Sequence, residues 1–209
     1  MPKLTSIANV IRRPLASITI LALMGGIAHA AELLQSVGRD DRPIGDQTAP
    51  VTIVEYSSPT CPSCVTYRTQ VAPLIEAEFV ETGKVRIVFR PLARNAVDLA
   101  IFMLAEKKAG HEYQRLVDLF YSKHTDIAKS PDIEATLREI ARSAGIGDED
   151  FNRHVSDSTT YEALERLKAQ AMDDFHVQGT PTFFINGKQI TGALSADEMR
   201  AQIADALNR

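Results

Sequence analysis

Both cysteines of the chain fall within one four-residue stretch, Cys61-Pro62-Ser63-Cys64. The stretch lies where a strand pattern gives way to a helix pattern, and that junction restricts the folds open to the chain. Ahead of it, Val51-Thr52-Ile53-Val54-Glu55-Tyr56 is β-branched and mostly apolar, which predicts a buried strand over 51–56. Behind it, the run from Val65 to Lys84 has helical spacing. Pro62 suits the first helical position, where a missing N–H leaves nothing unpaired and the fixed φ is already helical. Cys61 is then at the helix N-terminus, and Cys64 is one turn on along the same face.

A helix N-terminus carries partial positive charge and unpaired N–H groups, so it stabilises a thiolate at Cys61, the reactive form of cysteine. The two sulfurs are close enough to form a disulfide without large strain. One exposed nucleophilic sulfur and one sheltered resolving sulfur make a redox switch. A structural staple is the plainer reading, but so short a loop removes little entropy from the unfolded chain. A zinc site would need two further ligands, and the four histidines after the pair are scattered.

Residues 1–30 read as a secretory signal peptide. Lys3, Arg12 and Arg13 make a basic start, Leu15 to Ile27 is apolar, and Ala28-His29-Ala30 is a small-x-small cleavage site. The apolar run is short for a bilayer span and is diluted by Ser17, Thr19, Gly25 and Gly26; an uncleaved anchor is the other reading. Removing three cations and no acid from a chain of formal charge −4 leaves −7 over 179 of the 209 residues. That charge argues against nucleic acid and anionic lipid as partners. Export to an oxidising compartment permits structural disulfides, yet two cysteines make no framework. A chain of this length can bury an adequate core without staples, so the pair is free for chemistry.

Residues 31–50 read as a polar lead-in with at most one short strand or turn. Strand alternation puts Ile53 and Glu55 on one face, opposite Thr52, Val54 and Tyr56. Glu55 lies six residues before Cys61. It either sits beneath the pair, desolvated and able to exchange a proton with Cys64, or is an exposed strand-end charge. Pro73 predicts a kink in the helix, which ends near Gly83. Val85 to Phe89 alternates and Pro91 closes it, giving a βαβ unit with parallel strands and a right-handed crossover.

Helical signals follow. Asn95 caps a helix to Ala109 that is apolar nearly all round, and His111 to Ser122 is another. Ser130-Pro131 starts a third to about Ser143, and Asp148 starts a short fourth. Thr159 with Glu162 has capping-box spacing for a helix to about Phe175. Strands return at Thr182-Phe183-Phe184-Ile185 and Lys188-Gln189-Ile190-Thr191, joined by Asn186-Gly187, a strong hairpin signal. Ser195 with Glu198 caps a last helix to about Leu207. The order β, α, β, helical block, β, β, α predicts an α/β fold, a sheet with an embedded helical unit.

Taken together, Glu55 to Cys64, the Pro73 kink, and Gly179-Thr180-Pro181-Thr182-Phe183-Phe184-Ile185-Asn186-Gly187 resemble the DsbA family. These are thioredoxin-fold thiol–disulfide oxidoreductases of the bacterial cell envelope with a helical insertion. The resemblance implies a signal peptide over 1–30, a first thioredoxin half over 31–94, the insertion over 95–175 and the closing half over 176–209. It implies that Pro181 is cis and lies against the redox pair, where an ordinary strand-start proline is the alternative. It implies that Thr180 offers its backbone to the substrate chain and that Glu55 is the buried acid. Pro62 and Ser63 tune the pair. Well-known members have His where this chain has Ser63, so the Cys61 thiolate should be less stabilised and the disulfide a milder oxidant.

The function implied is introduction of disulfides into exported proteins in the periplasm or cell envelope, through Cys61 and Cys64. Unfolded or thiol-containing exported proteins are the expected partners, with a membrane-bound, quinone-linked oxidase to restore the disulfide. Neither metal nor organic cofactor is called for, and a monomer is expected. A reductase or isomerase kept reduced by a membrane donor would use the same residues, although the sequence offers no room for an N-terminal dimerisation domain. A chaperone or metal carrier with idle thiols is the reading from another class, without Met- or His-rich tracts to support it.

Overall fold

The computed structural model of the chain describes Gln35 and residues 40–209. The signal peptide expected over 1–30 lies outside them. Strand β1 (Val51–Ser57) leads into helix α1 (Pro62–Thr66), a π turn over Tyr67–Val71, helix α2 (Ala72–Ile75) and a second π turn over Glu76–Val80. The first π turn answers Pro73. Proline has no N–H to give, and the ladder runs one residue longer, from the Ala72 N–H to the Tyr67 carbonyl. Tyr67 and Arg68, consecutive residues within that turn, are both buried.

Strand β2 (Val85–Pro91) pairs parallel with β1, residue 51 opposite 85 through 57 opposite 91. After the helical block, β3 (Thr182–Ile185) pairs antiparallel with β1, and β4 (Lys188–Thr191) with β3. The order across the sheet is β2-β1-β3-β4. Asn186 (φ 45°) and Gly187 (φ 85°) make the turn, both in the left-handed region that a tight hairpin requires. Ile44 bridges to Ile87 at the outer edge of β2. Beside it Gly45 (φ 96°) lies so close to β2 that a Cβ would stand 2.7 Å from the Val85 carbonyl oxygen.

Six helices lie between β2 and β3: α3 (Ala96–Ala105), α4 (His111–Ser122), α5 (His124–Lys129), α6 (Ile133–Ser143), α7 (Asp148–Val155) and α8 (Ser158–Asp173). The chain closes with α9 (Ala196–Leu207), under the Ser195–Glu198 capping box. Helix α3 is the centre of the block, with Ile101 to Ala105 buried in succession. It ends four residues before the expected Ala109, and Glu106 just past its end pairs with Arg42 at 2.8 Å. Helix α5 was not expected. The cap of α6 is Asp132, not Ser130, and that of α8 is Asp157, not Thr159.

One sheet face packs Val51, Ile53, Val85, Ile87, Phe183 and Ile185 against Tyr67, Val71 and Ile75, with Met199 and Ile203 of α9. The other packs Val54, Tyr56, Val88 and Phe184 under Ala171 of α8 and Phe175. Each such side chain contributes about 1.5–3 kcal/mol of burial, which fixes β1 in the middle and its C-terminal end at the junction of sheet and helical block. Arg90 is fully buried on the second face, and its charge is met by Asp41 at 2.7 Å and the Tyr56 hydroxyl at 2.9 Å. Among the described residues no helix is long and apolar enough to cross a membrane.

Candidate active site

At the end of β1 the chain turns through Ser58–Thr60 and enters α1 with Cys61 as N-cap and Pro62 at the first helical position. Neither cysteine is in a disulfide. Cys61 keeps 7% of its surface exposed and Cys64 none. The sulfur expected to be exposed therefore has only a narrow opening. The Cys61 thiol donates to the Thr180 carbonyl at 3.2 Å, and the Thr180–Pro181 peptide is cis. Residues 119 positions apart in sequence thus meet at one sulfur. Pro62 and Ser63 are exposed.

The two thiols ionise in opposite directions. Burial opposes the Cys61 thiolate, but the Thr180 side chain, the Cys64 N–H and the Cys64 thiol favour it by hydrogen bonding. With the Arg94 cation adding to these, the Cys61 pKa lies below its ordinary value. Burial dominates at Cys64 and pushes its thiol up to about 12, against weaker hydrogen bonds from Ser57, Thr180 and the Ser58 backbone. The Thr180 hydroxyl is buried without an ordinary hydrogen-bond partner and acts on both sulfurs.

Glu55 is buried on β1, on the face turned toward the π turn and α4. Burial raises its pKa to about 7, against the opposing pull of Arg68 and a hydrogen bond from Ser57, while Asp118 and Glu76 raise it further. Arg68 reaches Glu55 at 3.4 Å, Glu76 at 3.2 Å and Asp118 at 2.8 Å. Glu55 and Cys64 are both linked to Ser57, the next residue on the Glu55 face of β1.

Several residues of the site are invisible to motif reasoning. Asp98, fully buried in the first turn of α3, holds the loop before Cys61. Its carboxylate accepts from the Ser58 hydroxyl at 2.7 Å, the Thr60 N–H at 2.9 Å and the Arg94 N–H at 3.0 Å. Asn95, the cap of α3, donates to the Thr60 hydroxyl at 2.8 Å, and His124 Nδ1 lies 3.0 Å from the Pro59 carbonyl. Tyr121 of α4 donates to Ser57 Oγ at 2.7 Å. Of these, Asn95 was readable as a helix cap and Ser57 through its strand period from Glu55. Among the described residues no group of three metal-ligating side chains is found.

Comparisons with known proteins agree with this arrangement. Residues 38–205 match the family model described as Thioredoxin. A protein named "Putative protein-disulfide oxidoreductase" from Rickettsia bellii (strain RML369-C) is 26% identical over 172 residues, covering 82% of this chain and 66% of that protein. The chain therefore spans just under two thirds of that relative's length. Disulfide bond formation protein D of Bacillus subtilis (strain 168) is 25% identical over 171 residues, covering 78% of this chain and 76% of that protein. The crystal structure of Wolbachia pipientis alpha-DsbA1 superposes with a TM-score of 0.77 at 22% identity, covering 86% of this chain and 96% of that one. The fold is thioredoxin-like with an inserted helical unit.

Proposed function

The chain belongs to the thioredoxin family, and on that premise we propose that it is a DsbA-like thiol–disulfide oxidoreductase that passes the Cys61–Cys64 disulfide to exported proteins. The observation that carries this reading is the asymmetry of the pair. A thiol held below its ordinary pKa at a helix N-terminus is the better leaving and attacking sulfur, and a buried thiol at about 12 is kept protonated.

In the oxidised enzyme a substrate thiolate attacks Cys61 Sγ. A bond forms between the substrate sulfur and Cys61, the Cys61–Cys64 bond breaks, and Cys64 leaves with the electron pair and takes up a proton. A second substrate thiolate then attacks the substrate sulfur of the mixed disulfide, and Cys61 leaves as a thiolate. Two substrate thiolates are oxidised to a disulfide, and the enzyme disulfide is reduced. Thr180 and Pro181 align the substrate backbone beside Cys61, and Glu55 supplies the proton that Cys64 takes up. Thiol-containing proteins of the periplasm or cell envelope are the substrates, and a membrane-bound, quinone-linked oxidase renews the disulfide.

Equilibration of the Cys61–Cys64 pair with glutathione tests the direction. A reduction potential well above the thioredoxin value of about −270 mV is expected. A potential at that value would make the protein a reductase or isomerase. A pair that failed to equilibrate would remove the enzyme reading altogether.

A further inference from the structure

Beside the Cys64 thiol and the Glu55 carboxyl lie two hydroxyl groups that the reaction as written leaves idle. Ser57 lies between them. It follows Glu55 by two residues on β1, so both side chains leave the strand on one face. Its hydroxyl is close enough to both the thiol and the carboxyl to favour the ionised form of each. Tyr121, brought in by α4 of the helical insertion, donates its own proton to Ser57 Oγ at 2.7 Å. All four residues are buried, at 1% exposure or less. With a lone pair of Ser57 taken by Tyr121, the Ser57 proton must point elsewhere, and a thiolate at Cys64 and a carboxylate at Glu55 are its two acceptors. One oxygen of that carboxyl, Glu55 Oε1, is buried with no hydrogen-bond partner.

We propose that Ser57 is a proton relay between Glu55 and Cys64, and that Tyr121 is the positioning residue that holds its hydroxyl in line. The inference rests on the exchange reaction above. When the Cys61–Cys64 bond breaks, the Ser57 proton goes to the Cys64 thiolate and the Glu55 proton goes to Ser57 Oγ, leaving a carboxylate beside Arg68. In the reverse direction the Cys64 proton goes to Ser57, and the Ser57 proton goes to Glu55. Atoms and charge balance in both, and no water is needed in a space closed by side chains. A hydroxyl flanked by an acid and a thiol can move protons this way because it donates and accepts at once.

The relay depends on Glu55 being able to hold or release its proton near neutral pH. The titratable groups that surround Glu55 are Arg68 and Tyr67 from the first π turn, Glu76 from the second, Asp118 and Tyr121 from α4, and Cys64 from α1. Arg68 is the hub of these, paired with Glu55, Glu76 and Asp118.

The test compares wild type with Ser57→Ala, Ser57→Thr and Tyr121→Phe in the stopped-flow reduction of the oxidised pair by dithiothreitol, from about pH 5 to about pH 9, in water and in heavy water. Ser57→Ala should slow reduction roughly ten- to hundred-fold, flatten the neutral inflection and lose the solvent isotope effect. Ser57→Thr should restore all three. Tyr121→Phe should slow reduction roughly two- to five-fold with the inflection kept, since the relay hydroxyl remains. Alkylation of Cys61 against pH should be unchanged in every variant, which separates relay loss from a collapsed site. A Ser57→Ala enzyme with the wild-type rate and profile would overturn the relay. Wild type that fails to be reduced would instead overturn the exchange reaction itself.

Discussion

The two sulfurs of one helical turn live in opposite surroundings. Cys61 faces the cis-Pro loop and solvent, under hydrogen bonds that favour its thiolate. Cys64 faces the protein interior, where burial sets its titration as it sets that of Glu55. The helical insertion serves both sides with different residues. Asp98 of α3 braces the loop that delivers Cys61, and Tyr121 of α4 closes the space around Ser57 and Cys64. The difference teaches that redox asymmetry here comes from the second ring of contacts, because the cysteines themselves and their helix are shared.

The sharpest way to break the comparison is to exchange the sulfurs' roles. Cys61→Ser should abolish turnover with a dithiol peptide, because no sulfur is left to receive the substrate. Cys64→Ser should instead hold the mixed disulfide at Cys61, and covalent adducts with exported thiol proteins should accumulate on non-reducing gels. Adducts on Cys64 in a Cys61→Ser protein, at the same yield, would show that the two sides are equivalent.

Next in size is the brace on the Cys61 side. Asp98→Ala leaves the Ser58 hydroxyl and the Thr60 and Arg94 N–H groups without their acceptor. Buried donors left unpaired should cost about 2–5 kcal/mol of stability, measured by urea unfolding. The Cys61 pKa should rise as the loop loosens, and the Cys64 pKa should not. Equal changes at both thiols would mean that Asp98 supports the whole site and not one side of it.

How much of this was legible in the sequence follows from how local each signal is. The pair Cys61–Cys64 and the Asn186-Gly187 hairpin are contiguous, and each is read from its own chemistry. The Ser195–Glu198 box is equally local, and the structure keeps both of its bonds. Other caps misled because a better acceptor stood nearby. The Ser130 hydroxyl is engaged with the Asp132 backbone, which leaves the Asp132 side chain to accept the Ala135 N–H. Asp157 likewise takes the Thr159 and Thr160 N–H groups. Helix α5 has six residues, begins two residues after α4 and carries no side-chain cap, so periodicity has too little length to act on. Glu55 could be placed on a face but not judged buried, because Arg68 and Asp118, its neighbours, arrive from other elements. Asp98 reads as an ordinary first-turn acid, and only the packing of α3 against the Ser58–Thr60 loop gives it another use.

A third prediction probes the interior side through pH. Glu55 ionises at about 7 in the folded protein against an ordinary 4.5. Between those values the unfolded chain has released this proton and the folded chain still holds it. Stability therefore falls as pH rises through that window and levels off above about 7, a loss of roughly 3 kcal/mol. Glu55→Gln should remove this slope, so the reduced variant gains on reduced wild type by about that amount between pH 4.5 and pH 8 in urea unfolding. Parallel curves would place Glu55 outside the low-dielectric interior.

The smallest effect tests whether the two sides are insulated from each other. Ser63 is exposed one residue before Cys64, so Ser63→His puts a cation near the helix N-terminus without disturbing the core. Solvent weakens an exposed charge, and the Cys61 pKa should fall by only about one half to one pH unit, read from ultraviolet thiolate absorbance. A more stable thiolate stabilises the reduced pair, which should raise the reduction potential by about 15–30 mV. Cys64 lies behind the helix backbone with no exposed surface, so its titration should stay where burial sets it. A matching fall at Cys64 would mean that charge at the mouth of the site reaches the interior, and the separation between the two sulfurs would then belong to distance alone.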